Sequence, residues 1–119
     1  MAERYNIKSS QIADHIYLLI DETDTSNWKD GGRMLVDSDQ LSFIYIMETE
    51  NELIYIGIPK EYWADLKSAL QKGNSVILRT GESELELSAI HEELAYLIEN
   101  IKGNANYGKE MVEAVEEVF

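Results

Sequence analysis

The stretch from Leu41 to Ile58 constrains this chain more than any other. Leu-Ser-Phe-Ile-Tyr-Ile-Met and Leu-Ile-Tyr-Ile-Gly-Ile flank the polar connection Glu-Thr-Glu-Asn-Glu. Two runs rich in β-branched and aromatic residues around a short polar link predict a β-hairpin with a loop longer than two residues. Alternation along a strand puts Phe43, Tyr45 and Met47 on one face and Ile44 and Ile46 on the other. In the returning run Ile54, Ile56 and Ile58 share a face, Leu53 and Tyr55 share the other, and Gly57 leaves room for close approach by a neighbour. Both faces are apolar, so the hairpin belongs in the middle of a sheet, with one side under helices and the other at least partly covered.

The rest of the chain supplies the layers. Tyr5 to Ile20 reads as one or two strands with a turn at Ser9-Ser10, and Asp21 to Gly32 as a long polar loop anchored by Trp28. Arg33 to Val36 resumes an apolar rhythm that Asp37-Ser38-Asp39 breaks. Pro59 opens a helix along Lys60 to Lys72, with Tyr62, Trp63, Leu66, Ala69 and Leu70 at helical spacing and Gly73 as its stop. Ser75 to Leu87 reads as a second hairpin turning at Thr80-Gly81. Ser88 is placed to cap the next helix, whose stripe is Ile90, Leu94, Leu97, Ile98 and Ile101. Gly103 closes it, and a last helix runs from about Tyr107 to Val118. These elements predict one α+β domain over residues 1–119: a mostly antiparallel sheet of five to seven strands, with about three helices packed mainly on one face.

Composition narrows the function. The 119 residues contain no cysteine, which excludes disulfides and thiolate chemistry. The Met-Ala-Glu-Arg-Tyr start lacks a basic region followed by an apolar stretch, and no run approaches a membrane span, so a cytoplasmic location is expected. Twenty-three acids against ten bases give a net charge of −13. That field repels phosphate backbones and anionic membranes, so no direct nucleic-acid or membrane partner is expected. The charge is spread along the chain: residues 1–58 hold eleven acids and four bases, residues 59–119 twelve and six.

Two segments carry a resemblance. Gly32-Arg33-Met34-Leu35-Val36-Asp37-Ser38-Asp39 with Leu41-Ser42-Phe43-Ile44-Tyr45 is one; the other runs from His91-Glu92-Glu93-Leu94 through Leu97-Ile98-Glu99-Asn100-Ile101 to Gly103-Asn104-Ala105-Asn106-Tyr107-Gly108. Both resemble the YjbL-like family, uncharacterised short acidic proteins of spore-forming Gram-positive bacteria. The resemblance extends from about Gly32 to the C-terminus. It implies a bacterial cytosolic origin and brings no catalytic residues with it.

Four groups of residues carry candidate chemistry. The loop Asp21, Glu22, Asp24, Asn27 and Asp30 is rich in oxygen, but neither register of a calcium loop fits: from Asp21 the twelfth position is Gly32, and from Asp24 the fifth is Trp28. No metal is therefore assigned. Asp37 and Asp39, with His91 in the first turn of its helix, form the one set suited to acid-base or metal-assisted hydrolysis, provided the three converge; in a tight turn the same aspartates simply accept backbone N–H groups. Glu82, Glu84 and Glu86 make an acidic ladder along one strand face, either solvated or facing a basic partner. Phe43, Tyr45 and Tyr55, taken as one face of the hairpin, are either core or a partner-binding patch, since tyrosine suits interfaces.

The resulting expectation is a non-catalytic protein-interaction or self-association module, with a protein partner or a homo-oligomer and no cofactor. The alternatives are an acidic charge mimic that occupies a basic nucleic-acid-binding protein, and a small metal-dependent hydrolase using Asp37, Asp39 and His91.

Overall fold

The structure, a computed structural model, describes residues 3–119; Met1 and Ala2 of the N-terminal stretch lie outside the described residues. The expected hairpin forms from β5 (Ser42–Glu48) and β6 (Leu53–Pro59), antiparallel, with Tyr45 opposite Ile56 and Ile46 opposite Tyr55. Its two outer neighbours are β4 (Lys29–Asp37), antiparallel to β5, and β1 (Glu3–Asn6), parallel to β6. The order β1-β6-β5-β4 makes the hairpin central, as its two apolar faces require.

The single sheet of five to seven strands is corrected to two mixed sheets of four strands each. The second has the order β2-β3-β7-β8, built from β2 (Ser9–Ile12), β3 (Ile16–Leu19), β7 (Val76–Thr80) and β8 (Ser83–Glu86). Its central pair, β3 and β7, is parallel. Ser9 and Ser10, expected in a turn, lie in β2. The chain changes sheets just before them: Ile7 donates to the Gly57 carbonyl in the first sheet, and Lys8 donates to the Leu19 carbonyl in the second. A continuous extended segment thus serves as an edge strand for both.

Among the described residues there are three α-helices: α1 (Trp63–Lys72), α2 (Ile90–Ile101) and α3 (Lys109–Val118). Pro59 ends β6 rather than opening α1, and a 3-10 turn over Lys60–Tyr62 leads into the helix. Gly73, left-handed at φ 71°, stops α1 as expected. All three helices bury their apolar stripes in one core with Phe43, Tyr45, Met47, Ile54, Ile56 and Ile58 from the first sheet and Ile16, Leu18, Val76 and Leu78 from the second. The fully buried Trp63 anchors α1: its indole N–H donates to the Ile58 carbonyl at 2.9 Å, and its ring lies 4.7 Å from Phe43. Each buried Ile or Leu of the α2 stripe contributes roughly 2 kcal/mol of apolar burial.

The loop before β4 is shorter than expected, because Lys29 to Gly32 already belong to that strand. Their register shifts between Asp30 and Arg33, a β-bulge made possible by Gly31 and by Gly32 at φ 66°. A Cβ on Gly31 would sit 2.5 Å from the Ile46 carbonyl oxygen. Trp28 anchors the loop as expected, with its ring 5.5 Å from Tyr5.

Candidate functional site

The expected aromatic face does not exist as one surface. Phe43 and Tyr45 pair with Ile58 and Ile56, so they point into the core and are fully buried; Tyr55 pairs with Ile46 and lies on the opposite face. A four-residue connection between the strands sets this parity. Phe43 and Tyr45 therefore present no surface to a partner, and Tyr55 does so without them.

The Tyr45 hydroxyl belongs instead to a polar cluster under the bulge. It donates to Asp30 Oδ1 at 2.6 Å and accepts from the Ala89 N–H at 3.1 Å. Asp30 Oδ1 also takes the Gly32 N–H, and Asp30 Oδ2 takes both the N–H and the hydroxyl of Ser88, at 3.1 and 2.7 Å. Ser88 is thus not the expected cap of α2: its hydroxyl donates to Asp30, which serves the start of the helix from a distant strand. Burial raises the Asp30 pKa, but the bonds from Tyr45, Ser88 and Gly32 outweigh it and hold the carboxyl below its ordinary range. Burial and the bond to Asp30 push the Tyr45 hydroxyl well above its ordinary value, so it remains a neutral donor. Glu93 adds a second clamp, accepting the Met34 N–H at 3.1 Å and so covering part of the β4 edge.

Asp37, Asp39 and His91 form no metal-holding group among the described residues. Asp37 is held by Arg4 and also accepts the Gln40 N–H, Asp39 lies in the following turn, and His91 sits in the first turn of α2. Among the described residues no three His, Asp or Glu side chains are placed to hold a metal ion, the Asp21–Asp30 loop included. Asp24 accepts the Ser26 N–H as a local turn, and Asp21 pairs with Lys8 at 2.9 Å. The Nε2 atom of His91 is buried without a hydrogen-bond partner among the described residues.

The acidic ladder is also broken. Glu82 falls in the turn before β8, and Glu84 receives two N–H groups of Arg79, at 2.9 and 2.6 Å. Arg79 in turn lies 4.0 Å over the Tyr17 ring. Of the three, Glu86 is the strand carboxylate with no ion-pair partner among the described residues.

What the structure does assemble is an open sheet face. On the side of the β1-β6-β5-β4 sheet away from the helices, register brings together Lys29, Arg33, Leu35 and Asp37 of β4, Ile44 and Ile46 of β5, Leu53 and Tyr55 of β6, and Arg4 and Asn6 of β1. Ile44 and Ile46 are buried but stand apart from the main core. Leu35 is 44% exposed. A shallow cavity of about 350 Å³ lies here, lined by Arg4, Leu35, Asp37, Asp39, Ile44 and Tyr55 among others. Lys29 and Arg33 have no carboxylate partner among the described residues. The second apolar face of the hairpin, Ile44 and Ile46 with Leu53 and Tyr55, was legible in the alternation; what sequence could not place on it are Arg4 and Asn6, which need the parallel pairing of β1 with β6.

Comparison with known proteins gives a consistent result. The family described as "Family of unknown function (UPF0738)" matches residues 5–119. A UPF0738 protein of a Geobacillus species is 47% identical over 91% of this chain and 83% of its own length. One from Bacillus licheniformis is 44% identical over 100% of this chain and 99% of its own, and the UPF0738 protein YjbL of Bacillus subtilis is 41% identical over the same shares. No solved structure matches.

Proposed function

We propose that this chain, which belongs to UPF0738, a family of unknown function, is a non-catalytic cytosolic interaction module that engages another protein, or a second copy of itself, through the open sheet face. The supporting observation is that this sheet uses only one side for the core. Its other side presents Leu35 and Tyr55 around one hollow, and two cations with no carboxylate partner among the described residues. Among the described residues the other two large exposed apolar side chains, Ile12 and Tyr96, stand on β2 and α2, away from this face. A tyrosine and arginines on one face are residue types that interfaces favour.

A photocrosslinking amino acid at position 35 tests the reading. In cytosol of a related Bacillus it is expected to yield a discrete adduct that the same probe at position 96 does not. Equal labelling from both positions, or none from position 35, removes the proposal. Sedimentation velocity at high concentration then separates a second copy from a different partner.

The −13 charge also accords with a charge mimic, but Glu84 is already matched by Arg79 within the chain, so the ladder offers less than its sequence promised. No helix of the described residues is long and apolar enough to cross a membrane.

A further inference from the structure

The open face contains a buried isoleucine with no helix above it. Ile44 is 3% exposed, yet it lies outside the core that the three helices share. Its position beside the cavity suggests what covers it: Arg4, Asp37, Leu35 and Tyr55 line the same hollow.

Arg4 starts on β1, at one edge of the sheet. Its Nε donates to Asn6 Oδ1 at 2.9 Å, and its Nη1 reaches Asp37 Oδ2 at 2.6 Å on β4, at the opposite edge. The route passes over Gly57. A Cβ there would lie 2.1 Å from Asn6 Oδ1 and 3.3 Å from Arg4 Nε, so only glycine lets the two side chains lie flat across β6.

We infer that Arg4 is a strap, closed by Asp37 and steadied by Asn6, that shuts Ile44 away and sets how apolar the open face is. The inference rests on reading that face as the working surface. The ion pair is partly exposed, with side chains 28% and 19% accessible, and such pairs are weak and screened by salt. Opening requires a side-chain swing and no change in backbone pairing. A partner that presents carboxylates to Arg4 and to Lys29 and Arg33 would release the strap as it docks and gain Ile44 as apolar contact. The strap thus makes the face polar while it is alone and apolar once engaged.

Nile red tests this, since a neutral dye is not repelled by a chain of charge −13. Arg4→Gln and Asp37→Asn are each expected to raise its fluorescence roughly twofold or more through newly exposed apolar surface, with the far-ultraviolet circular dichroism unchanged. Adding Ile44→Thr, which keeps a β-branched residue in the strand, is expected to abolish the gain. Two variants without a gain, or a gain that survives Ile44→Thr, would overturn the strap. The crosslinking experiment at position 35 reads the working surface separately: an adduct there with no dye response leaves the surface and removes the strap, and a dye response with no adduct does the reverse.

Discussion

Arg4 and Asp37 join the two outermost strands of one sheet: a 2.6 Å contact ties β1 to β4 across the two strands between them. The hydrogen bond from Arg4, together with the Gln40 N–H, holds the Asp37 carboxyl below its ordinary range despite some burial. A depressed carboxylate contributes stability above its unfolded pKa and loses it as pH falls through the folded value. Arg4→Ala should therefore cost about 1 kcal/mol or less near neutrality, the range for partly exposed pairs. The difference between variant and parent should vanish on acidification, and urea unfolding measured at neutral and acidic pH would reveal it.

Asp30 is a different case, because one of its partners, Tyr45, is a buried core residue. Asp30→Ala leaves the Tyr45 hydroxyl, inside the core, and the Ser88 N–H without their acceptor. The expected loss is about 2 kcal/mol, set mainly by the one buried donor left unsatisfied, since the Ser88 and Gly32 bonds are open to water. Hydrogen exchange should localise the damage to the start of α2 and the β4 bulge. A loss below about 0.5 kcal/mol would mean that water replaces the carboxylate without cost.

Tyr45→Phe keeps the ring and removes only the hydroxyl, so a loss of about 1 kcal/mol is expected. Its pH dependence is the sharper readout. Because the folded-state pKa of Tyr45 is raised by burial and by Asp30, its contribution is complete below the ordinary tyrosine value and is lost as pH rises above about 10. The variant should lack that alkaline decline in thermal midpoint.

Two glycines distinguish a rigid neighbour from a yielding one. A Cβ at Gly31 meets a backbone carbonyl at 2.5 Å, whereas a Cβ at Gly57 meets the side chain of Asn6. Gly31→Ala must move a strand and should cost about 2 kcal/mol. Gly57→Ala displaces Asn6 and Arg4 instead, with a loss of about 1 kcal/mol and the same dye response as Arg4→Gln. Denaturant midpoints for the pair would test the order.

Local patterns revealed much of this fold. The hairpin of β5 and β6, the second hairpin of β7 and β8, and the helices α1, α2 and α3 all leave a signature within a dozen residues, and each forms close to its expected place. What no local pattern carries is the pairing of β1 with β6 and of β3 with β7, because parallel partners lie about fifty to sixty residues apart in sequence. The split into two sheets follows from those pairings and was hidden with them. The same limit explains the candidate sites. Asp30 reads as a loop acid until the bulge places it under α2, and Arg4 reads as an ordinary polar strand residue until the sheet order sets Asp37 within its reach. His91 is likewise too far from Asp37 and Asp39 in sequence for a local pattern to relate them, and among the described residues the three form no metal-holding group.

The extended segment that serves as an edge for both sheets has a consequence in time. Glu3 pairs with Ile54, and Ile16 with Val76. During synthesis β1 has no partner until β6 has left the ribosome, and β3 waits longer for the partner at its centre. Such distant parallel pairings close slowly. The helical half and the β5–β6 hairpin should therefore gain protection first in pulse-labelled refolding, with residues 3–19 the last to join.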